Sequence, residues 1–300
     1  MRIVEAESLD FAAERATVNG ALEVLVDRYL GSATGAVPDA IRYSLAGEGK
    51  RLRAILVLAA FRAGGGEGDA SALAASVEVV HAYSLVHDDL PCMDNDAMRR
   101  GRPTVHMVYG VRAATAAGTA MVPLAARAAL DACRALGLDE VASAEVVRTL
   151  MQASGAGGMI GGQLMDLEGE GLALDLAQLE RIHRAKTGAL IEASMRIGAL
   201  AARVNSACRA ALGRYGAAIG LAFQIADDVL DVTATTDELG KTAGKDLHLR
   251  KSTYPALLGI EGAKARAESL AHEAREALRG EGLLTPELDT LSRFVVARRS

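Results

Sequence analysis

The chain has 300 residues, 50% of them hydrophobic and only 3% aromatic, and its formal net charge at pH 7 is -5. The acidic balance and the absence of a long basic run argue against a nucleic-acid-binding surface. No uncharged apolar stretch reaches the roughly 18 residues of a membrane span, and the first residues lack a signal-peptide apolar core. Abundant alanine and leucine favour helices, so we expect an all-α bundle with one domain over residues 1–300.

The cysteines indicate the redox compartment. Cys92, Cys133 and Cys208 are widely spaced, odd in number and without a CxxC pair. This usage suits a reducing compartment better than a disulfide scaffold, so we expect a cytoplasmic protein. Each cysteine is expected to be a small buried hydrophobe and not a metal ligand.

The first part of the chain predicts three helices. The first runs from about residue 9 to residue 30 and ends at Gly31, and Pro38 suits the first turn of the second. A strongly apolar third helix follows the basic segment that contains Lys50 and Arg53. These two cations are three residues apart, so we expect them to share a face at a helix N-terminus, where the helix dipole also attracts anions. A phosphate site and a solvated basic turn are both open interpretations.

The next segment concentrates negative charge. An apolar run over residues 72–86 leads into Asp88, Asp89 and Asp94, and Arg99 and Arg100 follow. Several carboxylates at one place are costly unless a cation neutralises them. Mg²⁺ takes carboxylate and phosphate oxygens together, and arginines bind phosphates in bidentate fashion. The segment therefore predicts a magnesium diphosphate site, with a solvated acidic turn as the alternative.

Further helical patterns follow. An alanine-rich pattern covers about residues 113–136, where Pro123 should introduce a kink, and another covers about residues 139–153. Asp175 is the expected N-cap of the helix that carries Lys186 and Thr187. Two C-terminal helices are expected over about residues 262–280 and 286–298, where they would cover the bundle.

A second acidic cluster ends another apolar helical pattern. Asp227 and Asp231 are four residues apart, so they share one face of a helix, and Asp228 lies between them. Like charges at this spacing repel, which a merely structural helix would avoid. A long polar stretch with three lysines follows, and a long loop inside a compact domain is usually functional.

Two aspartate-rich segments on apolar helices, the second followed by lysines, resemble the motifs of the trans-isoprenyl diphosphate synthases, the polyprenyl synthetase family that includes farnesyl and geranylgeranyl diphosphate synthases. The resemblance covers the chain from about residue 47 to residue 255. It implies an isoprenoid-synthase-type helical bundle around a central active-site cavity, and a homodimer. It also implies a prenyltransferase that condenses isopentenyl diphosphate with an allylic diphosphate, dimethylallyl or geranyl, by Mg²⁺-assisted ionisation.

The resemblance also assigns roles to individual residues. It implies about three Mg²⁺ ions with substrate bound, held by Asp88, Asp94, Asp227 and Asp231. The implied catalytic group is completed by Asp89, Asp228 and Lys186. The isopentenyl diphosphate site would contain Lys50, Arg53, His81 and Arg100. The allylic diphosphate site would contain Arg99, Lys186, Thr187, Gln224, Lys241 and Lys251.

The length of the product is expected to depend on two residues before the first acidic segment. Tyr83 and Ser84 precede Asp88 by five and four residues, which is about one helical turn. A tyrosine there can form the floor of the cavity and stop the growing chain. In the family a bulky aromatic residue at this place goes with a fifteen-carbon product. We therefore predict farnesyl diphosphate, with geranylgeranyl diphosphate as the alternative.

Two departures from the family pattern keep other functions open. Thr119 stands where the family commonly has an aspartate, and Ala97 replaces a commonly acidic residue. Thr119, with Ala97 and Pro123 as weaker hints, favours an inactive regulatory subunit, although such a chain should have lost one acidic motif and this one has both. A class I terpene cyclase or a head-to-head condensing enzyme would not need the isopentenyl site of Lys50, Arg53 and His81.

Overall fold

The computed structural model describes residues 11–233 and 252–297. The fold is all-helical, as the composition predicted, apart from one short hairpin of β1 (Met98–Arg99) and β2 (Arg102–Pro103). A π-helical turn, Arg184–Gly188, joins two of the helices. The α-helices in chain order are α1 Ala12–Leu30, α2 Ala36–Leu45, α3 Leu52–Ala63, α4 Ser71–Asp88, α5 Val105–Tyr109, α6 Val111–Ala135, α7 Glu140–Ser154, α8 Met159–Glu168, α9 Leu176–His183, α10 Ala189–Ala201, α11 Ser206–Thr233, α12 Tyr254–Arg279 and α13 Pro286–Ala297.

Several predicted helix boundaries are confirmed. α1 ends before Gly31, whose φ of 46° is one that glycine adopts easily. The side chain of Asp175 caps α9, and Gln178 completes a capping box. α6 continues through Pro123 without a break, so the proline does not divide the alanine-rich helix.

The core consists of two apolar regions that meet at α3 and α10. One region joins these helices to α1, α2, α4, α6 and α7, and the other joins them to α11, α12 and α13. Because α3 and α10 contribute to both regions, they are apolar on most of their circumference. Gly198 lets them approach closely, since a Cβ there would lie 2.4 Å from the carbonyl oxygen of Val57.

α6 also has the length and hydropathy of a membrane-spanning helix, which no other helix in the described ranges has. A core helix of a bundle passes the same test. Its fully buried residues, including Ala114, Ala117 and Met121, belong to the apolar region around α4. The structure therefore gives α6 a place among the other helices, and its length and composition are the only features it shares with a membrane span.

The π-helical turn lies between α8 and α11. A Cβ at Gly162 of α8 would lie 2.2 Å from the backbone nitrogen of Lys186, and one at Gly220 of α11 would lie 2.9 Å from the Cα of Gly188. Glycine is required at both places because the helix backbones touch. The turn that carries Lys186 and Thr187 is thereby fixed from two sides.

Candidate active site

The first acidic cluster lies at the C-terminal end of α4. Asp88 is the last residue of the helix, and its carbonyl oxygen accepts a hydrogen bond of 2.8 Å from the backbone N–H of Asp94, which closes the acidic loop. The guanidinium of Arg99 donates to both carboxylate oxygens of buried Asp89, with Nε–Oδ1, Nε–Oδ2 and Nη2–Oδ1 distances of 2.9 Å, 3.0 Å and 2.6 Å. Asp89 therefore holds Arg99 and the hairpin against α4.

Asp88 has the electrostatics of a cation ligand. Burial raises its pKa to about 6, and the charges of Asp94 and Asp89 act in the same direction, while Lys186 and Arg99 oppose the rise. A further cation beside Asp88 would relieve the remaining cost of its charge.

The second acidic cluster is part of α11. Asp228 is buried and is held by three partners from three elements: the side-chain N–H of Gln224 at 3.2 Å, the backbone N–H of Tyr254 at 3.0 Å and the imidazole of His183 at 3.3 Å. The His183 ring is stacked on the Tyr254 ring. Asp228 therefore ties α9, α11 and the start of α12 together.

Asp231 provides the test of whether these residues fit a metal ion. It lies one helical turn after Asp227, is only 6% exposed, and its Oδ2 is buried with no hydrogen-bond partner in the described part of the chain. A carboxylate oxygen only accepts hydrogen bonds, so a buried one without a donor is costly unless a cation binds it. Oxygen donors of this kind suit Mg²⁺. The cluster fits the predicted ion.

Within residues 11–233 and 252–297, no three histidine, cysteine or carboxylate side chains are close enough together to hold a metal ion alone. Mg²⁺ keeps several waters and takes one or two carboxylates together with substrate phosphate oxygens. The two acidic clusters would therefore each supply part of a coordination sphere.

The predicted allylic residues form a polar chain that leads to the second cluster. Thr187 donates a hydrogen bond of 2.8 Å to Oε1 of Gln224, whose amide N–H in turn contacts Asp228. Lys186 forms an ion pair of 2.7 Å with Asp166 on α8. The structure thus brings together Lys186, Thr187 and Gln224, while Lys241 and Lys251 lie outside the described residues.

The predicted isopentenyl residues meet at the N-terminus of α3. Nη1 of Arg53 lies 3.4 Å from Nε2 of His81, and Nη1 of Arg100 donates to the carbonyl oxygen of Glu48 at 2.6 Å. Burial lowers the pKa of His81 well below its usual value, and the charges of Arg53 and Arg100 lower it further. The imidazole is neutral at neutral pH, and the surrounding cations favour an anion.

One detail of this region was predicted wrongly. Lys50 and Arg53 do not share a helical face, because α3 begins at Leu52 and Arg51 adopts a left-handed backbone with φ of 51°. Lys50 therefore precedes the helix and is exposed, whereas Arg53 lies in its first turn. A pocket opens beside His81, between α2, α4 and the hairpin, and its lining includes Glu48, Arg51, Glu78, Arg99 and Arg100.

Tyr83 and Ser84 lie on different faces of α4. The Tyr83 side chain is buried with its ring edge-on to His87, 5.5 Å between ring centroids, and Nε2 of His87 lies 3.1 Å from the carbonyl oxygen of Thr115 on α6. Gly118 leaves room for the His87 ring, since a Cβ there would lie 2.2 Å from Nε2. Ser84 donates to the carbonyl oxygen of His81 within the same helix.

The two departures from the family pattern lie on the surface. Thr119 is exposed on α6, and its hydroxyl donates to the carbonyl oxygen of Thr115 one turn earlier. Ala97 is exposed before β1, and its carbonyl oxygen accepts from the backbone N–H of Thr104. Both residues use local backbone partners.

Sequence reasoning assigned no role to Arg51 and Glu78, two buried charged residues near these groups. Arg51 and Glu78 form an ion pair, with 3.6 Å between Arg51 Nη1 and Glu78 Oε2. Gln163 on α8 is buried, and neither of its amide atoms has a hydrogen-bond partner among the described residues. A charged residue inside the apolar run 72–86 was the available signal for Glu78.

Comparison with known proteins gives one family and many relatives. The sequence matches the profile of the family described as polyprenyl synthetase over residues 35–281. It is 45% identical over 271 residues to farnesyl diphosphate synthase of Escherichia coli (strain K12), covering 87% of this chain and 89% of that one. It is 44% identical over 248 residues to the large subunit 1 of a chloroplastic heterodimeric geranylgeranyl pyrophosphate synthase of Arabidopsis thaliana, covering 81% and 67%.

Solved structures show the same similarity. The crystal structure of a geranyltransferase from Helicobacter pylori, complexed with magnesium and isoprenyl diphosphate, superposes with a TM-score of 0.76 at 30% sequence identity. The match covers 94% of this chain and 96% of that one. The similarity therefore extends over both acidic clusters.

Proposed function

We propose that the two acidic clusters bind one allylic diphosphate between them through Mg²⁺. The chain belongs to the polyprenyl synthetase family and is a trans-prenyl diphosphate synthase. The observation that carries the proposal is the buried Oδ2 of Asp231, which has no hydrogen-bond partner among the described residues. Asp88, Asp94, Asp227 and Asp231 would hold the ions, about three per site. Bound there, Mg²⁺ would stabilise the charge that develops on the departing diphosphate.

The cations around the acidic clusters divide between the two substrates. Lys186 and Arg99 would contact the allylic diphosphate, since the charges of both act on Asp88. Lys50, Arg53, His81 and Arg100 would hold isopentenyl diphosphate, because Arg53 contacts the neutral imidazole of His81, which lines the pocket together with Arg100. Each substrate then has its own set of positive charges.

The chemistry follows from this placement. The allylic C–O bond breaks and the diphosphate leaves with the electron pair, so an allylic cation remains. The double bond of isopentenyl diphosphate, held close to that cation, forms the new C–C bond. The apolar helices exclude water, which would otherwise convert the cation to an alcohol. The released diphosphate takes the final proton, so no protein nucleophile is required.

We propose farnesyl diphosphate as the main product. The support is Tyr83, whose bulky ring is buried and kept in place by His87. Relatives with nearly equal identity are named for farnesyl and for geranylgeranyl products, which keeps geranylgeranyl diphosphate as the second candidate. If Tyr83 limits the chain, Tyr83→Ala lengthens the product, and Tyr29→Ala, which removes a tyrosine that bonds Asp131 away from the site, serves as the control. An unchanged product from Tyr83→Ala would remove the argument for farnesyl diphosphate.

The reaction is tested by a product assay. Purified protein, Mg²⁺ and isopentenyl diphosphate are incubated with dimethylallyl, geranyl or farnesyl diphosphate in separate samples, and products are identified by mass. We expect a lengthened prenyl diphosphate that disappears with a metal chelator and in Asp88→Ala. No product from any starter would contradict the proposal and favour a regulatory subunit. A hydrocarbon formed without isopentenyl diphosphate would favour a cyclase.

We also propose a homodimer that uses α5 and α6. Val111, Thr115, Thr119 and Pro123 form an exposed stripe of uncharged side chains at four-residue spacing along α6. Met107 and Val108 of α5 add exposed apolar surface of 57% and 46% relative accessibility. Such a patch is unusual on a monomer. Light scattering of wild type and Thr119→Arg tests it, because a buried arginine would dissociate the dimer, and a monomeric wild type would contradict it.

The cytoplasmic location stays a prediction. Cys133 is buried, Cys92 is exposed and Cys208 is partly buried, and all three are free thiols. The expectation that each cysteine is buried is wrong for Cys92, and the cytoplasmic location rests on the sequence alone. Fractionation of cells that express the chain would test it.

A further inference from the structure

Arg51 is a buried arginine outside the groups assigned above. It stands immediately before α3 and is only 7% exposed. Its Nε donates to the side-chain oxygen of Asn19 on α1 at 2.9 Å, and its Nη2 donates to the carbonyl oxygens of Leu45 and Gly47 at 3.2 Å and 2.7 Å. One guanidinium therefore joins α1 to the segment that leaves α2.

The partner charge of Arg51 is equally buried. Glu78, on α4, is 2% exposed, forms the ion pair with Arg51, and accepts a hydrogen bond of 3.2 Å from the backbone N–H of Ala54 in the first turn of α3. A buried ion pair rarely gives more stability than apolar residues of the same volume. Its better attested effect is to impose one arrangement on the groups around it.

The segment that Arg51 holds carries the partners of Arg100. The carbonyl oxygen of Glu48 accepts from Nη1 of Arg100, and a Cβ added to Gly49 would lie 2.4 Å from the same nitrogen. The guanidinium of Arg100 therefore lies against the backbone of residues 48 and 49. On the other side, the pair fixes the start of α3, where Arg53 contacts His81.

We propose that the Arg51–Glu78 pair is a positioning device for the isopentenyl diphosphate site. It fixes the segment 47–49, and through it Arg100, and it fixes the N-terminus of α3, and through it Arg53. Arg51 and Glu78 also line the pocket beside His81, where each offsets the charge of the other. The inference rests on the proposed function, because it assigns Arg53 and Arg100 to isopentenyl diphosphate and not to the allylic substrate.

The test compares the KM values of the two substrates. Arg51→Lys keeps the charge beside Glu78 but cannot reach Asn19, Leu45 and Gly47 together, because a lysine lacks the guanidinium fork. We expect the KM for isopentenyl diphosphate to rise roughly tenfold, the size of one weakened charged contact. The KM for the allylic diphosphate should change by less than about twofold. Asn19→Ala, which removes the outermost contact, should have a smaller effect.

A second variant reaches the same groups from the backbone. Gly49→Ala leaves the ion pair intact but displaces the Arg100 guanidinium, so it should raise the same KM even if Arg51→Lys fails to fold. Arg275→Met is the matched control, because it breaks partly buried contacts with Ser292 and Asp289 between α12 and α13. It should lower the melting temperature without changing the ratio of the two KM values.

Two results would overturn the inference. One is an unchanged KM for isopentenyl diphosphate in folded Arg51→Lys or, where that variant does not fold, in Glu78→Gln, which breaks the ion pair but keeps an acceptor for the Ala54 N–H. The other is an equal rise of both KM values, which would indicate a general structural role. An inactive wild type would refute the proposed function instead, so the two failures are distinguishable.

Discussion

The two acidic clusters carry the same Asp-Asp doublet but are held in different ways. Asp89 of the first cluster binds a cation, Arg99, through a bidentate pair. Asp228 of the second cluster is held by an amide N–H, a backbone N–H and an imidazole. In both doublets the second aspartate serves the scaffold. The doublets differ because the first contains its own positive charge close to the substrate.

This difference assigns a different task to each cluster. Around the first, Arg99 and Lys186 already oppose part of the negative charge of Asp88. Around the second, the buried oxygen of Asp231 has no hydrogen-bond partner within the described ranges. The first cluster can therefore assemble with protein charges, whereas the second relies more on added cations.

The largest expected effect comes from Asp88→Asn. It removes a carboxylate that faces both the ions and the leaving group, so kcat should fall about 10³-fold, the upper range for one preorganised electrostatic group. Steady-state kinetics at saturating Mg²⁺ measures it. Asp39→Asn, which removes a carboxylate paired with Arg42 on α2, is the control and should leave kcat unchanged. A fall of less than tenfold would show that the first cluster is not a metal site.

The next prediction compares the two anchors, which are the contacts made by Asp89 in the first cluster and by Asp228 in the second. The quantity compared is the loss of unfolding free energy when each aspartate is replaced. Asp89→Asn breaks the charged pair with Arg99, whose side chain is 32% exposed, so we expect a loss of about 2 kcal/mol of unfolding free energy. Asp228→Asn keeps one acceptor oxygen and should cost about 1 kcal/mol. Urea unfolding of both variants measures the difference. A larger loss for Asp228→Asn would reverse the comparison and make the second anchor the stronger one.

A third measurement concerns added cations at the second cluster. Mg²⁺ with inorganic diphosphate should raise the melting temperature of the wild type, because a ligand at 100 times its Kd stabilises by about 2.7 kcal/mol. In Asp231→Asn, a tenfold loss of affinity would remove about 1.4 kcal/mol of that gain. Thermal unfolding with and without Mg²⁺ measures this, with Asp39→Asn as control. Equal shifts in wild type and Asp231→Asn would exclude Asp231 as a ligand.

The smallest expected effect concerns His81 and the arginines around it. Since the pKa of His81 is lowered in the folded state, the unfolded chain binds its proton first as pH falls below about 6.5. The wild type should therefore lose about 1 kcal/mol of unfolding free energy from this residue between about pH 7.5 and pH 5.5. His81→Gln should lose correspondingly less. Identical losses in both proteins would show that His81 is not held neutral by its neighbours.

The helices and the acidic clusters could be predicted because their signals are local. Apolar periodicity places Asp88 at the end of α4 and puts Asp227 and Asp231 on one helix. The anchors could not be predicted, because their partners come from distant parts of the chain. Asp228 meets Tyr254, 26 residues later, and His183, 45 residues earlier.

The backbone conformation of Arg51 could not be predicted from the sequence either. A left-handed residue is expected mainly at glycine, asparagine or aspartate, so nothing in the letters Lys-Arg-Leu-Arg predicts that the helix starts one residue after Arg51. The tertiary partners Asn19 and Glu78 impose that conformation. The error about Lys50 follows from it.

The π-helical turn Arg184–Gly188 rotates the helix that follows it relative to the helix that precedes it. An α-helix that contains one π turn carries one residue more than the regular winding allows, and each residue corresponds to about 100° of rotation. α9 and α10 are therefore out of phase, and Lys186 and Thr187 stand where the offset occurs. Removing a single residue from this turn would restore regular winding and rotate Lys186 away from Asp166. The number of residues in this turn therefore determines where Lys186 and Thr187 point, as much as their identity determines what they bind.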